Sequence, residues 1–286
     1  MSNKLGVDYL EEENPERLFS LPYDTLRDAL KFIIEKTMQV KITGTENIPE
    51  TGGAIVVCNH TDYLDVPIQA IASPRKLFFL GKAELFEPEK DLKEFLDDLP
   101  FADGPLAGVF RPIIDGIAGL YGLVHREALK QLGGIPVDRD HRGDTARDTL
   151  RYFQELENYL IDTLKKGEVL SIFPEGTRSR TGQMNPFKPM TAGLAFKANV
   201  PIVPCGINGA YKLSTLSSIL SGELLRREIF FNIGVPIYPD QYPAEDPKRA
   251  ARMITDDIEK QVYALSQHSD RRKEGRLTST DESQKK

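Results

Sequence analysis

The sequence of 286 residues has only two cysteines, no long apolar run and no excess of positive charge. Two cysteines exclude a disulfide framework and fit no paired metal-ligand spacing. Both Cys58 and Cys205 lie in apolar runs, which reads as burial of small hydrophobes in a reducing compartment. No apolar stretch approaches the ~18 residues that a membrane span requires. The first residues, MSNKLGVDYLEEENPERL, are too acidic and polar for a signal peptide. With 37 basic against 43 acidic side chains the net charge is −6, which argues against a dedicated nucleic-acid binder. An anionic substrate has to be met by locally placed Arg and Lys. What remains is the profile of a soluble globular chain, 40% hydrophobic and 28% charged. It is long enough for one large core or two modest ones.

Strand-like and helix-like segments alternate along the chain. Tyr23, Leu26, Leu30, Ile33, Ile34 and Met38 recur at helical spacing, predicting an amphipathic helix within residues 22–40. Such a helix packs on its own domain or lies on a membrane surface. VKITGTENIP, GAIVVCN and KLFFLGK read as strands, the first two separated by PETGG. From Glu84 to Gln131 the pattern is less regular, a charged helical segment followed by LAGVFRPIIDGIAGLYGLV at 106–124. That run is either core or an apolar patch facing a membrane. GGIPVDRD is a short strand ending in charges, and residues 144–166 form a helix with Leu150, Phe153, Leu156, Leu160 and Leu164 on one side. GEVLSIFPEGTRSR is a strand running into a polar loop. GLAFKANVPIVPCGING is a helix and a strand, EIFFNIGVPIY a later strand, and 245–266 a final helix. The tail, 267–286, is almost without apolar residues and is expected to be disordered. The alternation implies an α/β fold with a mixed, largely parallel central sheet flanked by helices, and an N-terminal amphipathic helix. Three regions follow: residues 1–40 with possible membrane contact, a main domain at 41–266, and the tail.

In parallel sheets, sites gather in loops beyond the carboxyl ends of strands. The polar clusters after Cys58, at Lys82, at Arg139 and at Glu175 each follow a strand-like run, which suggests one shared site. The first cluster, NHTDYLD, contains His60 and Asp65. Five residues of helix turn the chain by about 500°, leaving side chains roughly 140° apart. The two can therefore meet only if His60 sits in the turn before the helix and Asp65 in its first turn. A carboxylate on one imidazole nitrogen fixes the tautomer and makes the other a better general base, as acyl transfer to an alcohol demands. Two other readings stay open on these residues alone: Asn59, Thr61 or Asp62 capping the helix, or His60, Asp62 and Asp65 as metal ligands.

The later FPEGTRSR delivers Arg178 from a strand-ending loop, suited to bidentate recognition of phosphate. Gly176 lets backbone approach a ligand, Thr177 adds a hydroxyl, and Glu175 can hold Arg178 or receive a substrate hydroxyl. Arg139 and Lys82 offer further positive charge.

The ordered set NHTDYLD, GGIPVDRD, FPEGTRSR and VPIVPCGI resembles the glycerolipid acyltransferases, in particular the 1-acylglycerol-3-phosphate acyltransferases of phospholipid biosynthesis. The likeness covers roughly residues 40–240, and GKAELF also looks like the family's segment after its first motif. It implies His60 as general base and Asp65 as its orienting partner. It implies Lys82, Arg139, Glu175, Gly176 and Arg178 as acceptor-binding positions. Pro204 falls in the fourth motif, tied to the acyl-donor side or to site architecture. The resemblance implies no metal and no cofactor, with acyl-CoA or acyl carrier protein as co-substrate. Two departures bear on the substrate: Met190 stands where the family often has glycine, and the segment carrying 106–124 is long.

The expected activity is transfer of a fatty acyl chain to the free hydroxyl of lysophosphatidate, in an enzyme that is cytoplasmic and peripheral to a membrane. An organellar or chloroplast-like compartment stays open. Partners are then a lysophospholipid acceptor, an acyl-thioester donor and a membrane surface, and no nucleic acid. The competing readings are another lysolipid or glycerol 3-phosphate as acceptor, a Cys58–His60 nucleophile pair, and a non-catalytic lipid-binding protein on the same scaffold.

Overall fold

A computed structural model describes residues 22–87, 107–243 and 245–266. The expected disorder of the tail, the first part of the N-terminal segment, and most of the charged helical segment after Glu84 lie outside them. The chain divides into two compact units, a larger one of residues 24–77 and 157–286 and a smaller one of residues 1–23 and 78–156.

The larger unit opens with helix α1 (Tyr23–Thr37) and strand β1 (Gln39–Thr43). Then come β2 (Ala54–Cys58), α2 (Asp65–Ala72), β5 (Val169–Ile172), a helix at Met190–Ala198, β6 (Ile202–Asn208), β7 (Glu228–Ile233) and a final helix at Pro247–Leu265. Its strands pair in the order β1, β7, β6, β2, β5. Every pairing is parallel except that of β6 with β7. The expected mixed, largely parallel sheet is what forms. Strand β2, AIVVC, is buried at all five positions, as a strand covered on both faces has to be. Around it Val56, Ile68, Val169, Val203, Ile207, Ile229 and Phe231 make one continuous core. The final helix starts on Asp246, whose side chain accepts from Arg249 N, with Pro247 as its first residue. It buries Ala250, Ile254, Ile258 and Val262 at four-residue spacing.

In the smaller unit β3 (Leu77–Lys82) pairs in parallel with β4 (Gly134–Val137), and a 25-residue helix α3 (Ala107–Gln131) connects them. The segment that reads as less regular is therefore one helix from Ala107 on. Its glycines lower intrinsic propensity, but the apolar 3–4 spacing prevails. Ile117, Leu120, Tyr121 and Val124 nonetheless stay exposed along one stripe, while Ala118 is buried. Among the described residues no helix is long and apolar enough to cross a membrane. Two expected faces differ from the pattern. Leu150 and Phe153 at the start of the helix Ala146–Lys165 are exposed, and only Leu156, Leu160 and Leu164 of that set are buried. In α1 only Ile34 is buried, leaving Phe32 and Ile33 open.

One contact fixes the final helix on the sheet. At Gly206 in β6, a Cβ would stand 2.3 Å from Ser266 N and 2.4 Å from the Leu265 carbonyl carbon. Gly206→Ala is therefore expected to destabilise the fold by about 1–3 kcal/mol through overpacking against rigid backbone, read as a lower denaturation midpoint in urea.

Candidate active site

Parallel register brings the first and third motifs together. Val57 of β2 stands opposite Ile172 of β5. His60 follows Val57 by three residues and Glu175 follows Ile172 by three, so the two loops leave the sheet side by side. His60 N donates to Glu175 Oε1 at 2.7 Å, and Ser179 N donates to His60 O at 2.8 Å. The His60 backbone is thus gripped on both its amide and its carbonyl by one loop. On the other side of β2, Asn59 continues the pairing with β6: its Nδ2 donates to Ile207 O at 3.0 Å and its Oδ1 accepts from Ile207 N at 2.8 Å.

Asp65 is the first residue of α2, and His60 lies in the turn before it, the one arrangement in which this spacing permits contact. His60 Nδ1 is 2.8 Å from Asp65 Oδ2. Asp65 is fully buried, and the same oxygen accepts from Thr61 N at 2.6 Å and Asp62 N at 2.9 Å. Thr61 Oγ1 donates to Oδ1 at 3.3 Å. Burial pushes this carboxyl above its ordinary value, and the His60 and backbone donors pull against that. With donors crowding its oxygens, Asp65 acts as acceptor, so His60 carries its proton on Nδ1 and Nε2 keeps a lone pair. The imidazole stacks on Phe173, ring centroids 4.0 Å apart and 16° from parallel, which fixes its plane.

The cap readings do not describe this turn. The residue before α2 is Leu64, and no side chain caps the helix. Asn59 is bound to β6, while Asp62 accepts from Leu64 N and from Ser214 N in a distant loop. Among the described residues no group of three or more His, Cys, Asp or Glu is arranged to hold a metal. Cys58 and Cys205 are fully buried, and burial holds both thiols well above their ordinary values. A neutral, buried Cys58 thiol is no nucleophile.

Glu175 is 3% exposed. Its second oxygen accepts from Asn185 N at 2.7 Å, so the carboxylate joins the His60 turn to the segment at Asn185 and is not spent on Arg178. Arg178 instead sits over Tyr63, its Cζ 3.5 Å from the ring centroid, and meets no carboxylate among the described residues. Its N–H edges remain for a ligand. Thr177 is exposed. Gly176 has a φ of 75°, a left-handed conformation that favours glycine. Pro204 is buried within β6, opposite Val57, where it serves the sheet. Met190 begins the helix Met190–Ala198 and is half exposed.

Lys82 and Arg139 belong to the smaller unit. Lys82 pairs in register with Val137, so both basic residues stand at the same end of β3 and β4. Lys82 Nζ is 2.5 Å from Glu84 Oε1, and that contact first, with a lesser pull from Arg139, holds the Glu84 carboxyl below its ordinary value.

A family model described as Acyltransferase matches residues 39–96 and 112–208. The chain is 23% identical over 249 residues to the 1-acyl-sn-glycerol-3-phosphate acyltransferase of Bacillus subtilis, spanning 87% of this chain and 98% of that one. It is 35% identical over 200 residues to the chloroplastic 1-acyl-sn-glycerol-3-phosphate acyltransferase of Brassica napus, covering 69% of this chain and 44% of the longer relative. A crystal structure of the 1-acyl-sn-glycerophosphate acyltransferase from Thermotoga maritima aligns with 91% of this chain and 87% of its own, at 20% identity and a TM-score of 0.47.

Burial raises the Glu175 carboxyl from 4.5 to about 7, against the pull of the His60 and Asn185 amides. A raised folded value means that stability from this group is complete below the unfolded value near 4.5 and is lost as pH rises through about 7. The expected loss between pH 5 and pH 8 is up to about 3 kcal/mol. Glu175→Gln should be less stable at pH 5, because its amide cannot accept from both backbone N–H groups, and should lack this slope. Urea denaturation at the two pH values measures both.

Proposed function

The chain belongs to the acyltransferase family, and from that premise we propose that it moves a fatty acyl chain from an acyl thioester to the free hydroxyl of lysophosphatidate, giving phosphatidate. The donor in this reading is acyl-CoA or acyl carrier protein, with no metal and no further cofactor. The observation that carries it is the His60–Asp65 pair locked by the same loop that presents Arg178 without a carboxylate partner. A general base and an open phosphate-binding cation then flank one acceptor. Relatives named as 1-acyl-sn-glycerol-3-phosphate acyltransferases support that acceptor.

His60 Nε2 takes the proton of the acceptor hydroxyl as its oxygen attacks the thioester carbonyl. The C–S bond breaks as the tetrahedral intermediate collapses, and the imidazolium returns its proton to the departing thiolate. Asp65 holds the ring and balances its transient positive charge, and Phe173 keeps it in plane. Arg178 fixes the phosphate, converting binding into orientation of the hydroxyl, an effect that can contribute several kcal/mol. A lipid acceptor places the enzyme peripherally on a membrane, most simply from the cytoplasm. The exposed Phe32 and Ile33 of α1 and the apolar stripe of α3 support contact with that surface.

Purified protein, labelled acyl-CoA and a panel of lysophosphatidate, glycerol 3-phosphate and other lysolipids, with and without liposomes, test this reading. His60→Ala should lower kcat at least about 10³-fold while leaving lipid binding intact. Near-normal turnover by a folded variant would sink the mechanism. Arg178→Ala should raise KM for lysophosphatidate by about 10–100-fold, with the donor KM little altered. Cys58→Ala should keep turnover; a trapped acyl-cysteine would instead favour the thiol route.

A further inference from the structure

Lys188 lies beside the Arg178 loop, and neither the motifs nor the mechanism above gives it a task. We propose that Lys188 is a second phosphate-binding group of the acceptor site, acting next to Arg178. This deepens the reading of a phosphate-bearing acceptor and rests on it.

Two contacts fasten the segment carrying Lys188 against the strand-ending loop, and a third ties it to the final helix. Asn185 N donates to Glu175 Oε2 at 2.7 Å, Phe187 N to Glu259 Oε2 at 2.9 Å, and Lys188 N to Pro174 O at 2.9 Å. Phe187 is buried beneath it. The backbone of Lys188 is therefore as fixed as the loop itself, which distinguishes it from a lysine on a free surface. Its side chain then lies back across Gly176. A Cβ built on Gly176 would stand 2.7 Å from the ammonium nitrogen, 3.1 Å from Cε and 3.4 Å from Cδ. The space that glycine leaves at position 176 is thus filled by the lysine stem, which delivers the ammonium two residues from Arg178.

Among the described residues no carboxylate is paired with that ammonium. The loop's own carboxylate, Glu175, is turned into the interior toward two backbone amides. A guanidinium over Tyr63 and an ammonium over Gly176 give two different donor types on one loop. The planar fork suits two oxygens of a phosphate, and the compact point charge suits a third.

The test compares wild type, Lys188→Met and Lys188→Arg on lysophosphatidate and on the monoacylglycerol bearing the same chain. Met keeps the apolar stem over Gly176 and removes the charge, so folding is preserved and is checked by the urea midpoint. K188M is expected to raise KM for lysophosphatidate about tenfold, to leave the donor KM in place, and to shrink the preference for lysophosphatidate over monoacylglycerol by the same factor. K188R is expected to restore most of that preference. If wild type prefers lysophosphatidate and K188M prefers it equally, Lys188 does not touch the phosphate and the inference fails alone. If wild type shows no preference for the phosphorylated acceptor, the acceptor reading fails and takes this inference with it.

Discussion

The His60 backbone is held from both sides by one loop, its N–H by the Glu175 carboxylate and its carbonyl by Ser179 N, and the rest of the site hangs on that grip. Asp65 can orient an imidazole only if the turn between them is fixed, because a residue of slack would separate the two side chains. The grip fixes the turn from outside, and the Thr61 and Asp62 amides on Asp65 fix it from inside. Phe173, two residues before Glu175, adds the ring that sets the plane of His60. One loop thereby determines the position and tilt of the imidazole while Asp65 fixes its tautomer, the preorganisation that the proposed general-base role requires.

The same grip settles the electrostatics. Of the two buried carboxylates, Glu175 is raised first by burial and to a lesser degree by the charge of Asp65. Each is satisfied by backbone amides or by the imidazole, and neither is paired with Arg178 or Lys188. Had Glu175 taken Arg178, as the short sequence distance suggests, the site would hold a closed ion pair with little attraction for an anion. Burying the acid against amides keeps the cations available.

The alternation of strands and helices was legible from periodicity, and so were the loops that carry chemistry, because apolar runs end abruptly in polar clusters. His60 with Asp65 was legible as a conditional: contact required a turn followed by a helix starting at Asp65, and that is what forms. The roles of Asn59 and Asp62 were not legible. Their partners, Ile207 and Ser214, lie 148 and 152 residues away, while short polar side chains before a helix look like caps in any sequence. For Glu175 the sequence offered Arg178 or a substrate hydroxyl, and its two backbone-amide partners were hidden because amides carry no side-chain signal. Lys188 was hidden because its function depends on an empty Cβ position at Gly176, a three-dimensional fact with no periodicity.

Sheet register explains why motifs more than a hundred residues apart belong to one site. Parallel strands place equal offsets side by side, and His60 and Glu175 stand the same three residues beyond the paired Val57 and Ile172. On the other flank Pro204 is opposite Val57, and Ile207, also three residues on, receives Asn59. The loops after β2 and β5 thus leave the sheet at the same offset, while β6 runs on beside them to receive Asn59. The spacing within each motif is consequently a count measured from the sheet: adding one residue between Ile172 and Glu175 would shift the turn and carry the carboxylate away from the amide it holds. Separate short segments with rigid internal spacing, joined by stretches of tolerant length, are what such a geometry requires of a sequence. The long segment before β4 belongs to those tolerant stretches, since it adds residues without altering any offset between β2, β5 and β6.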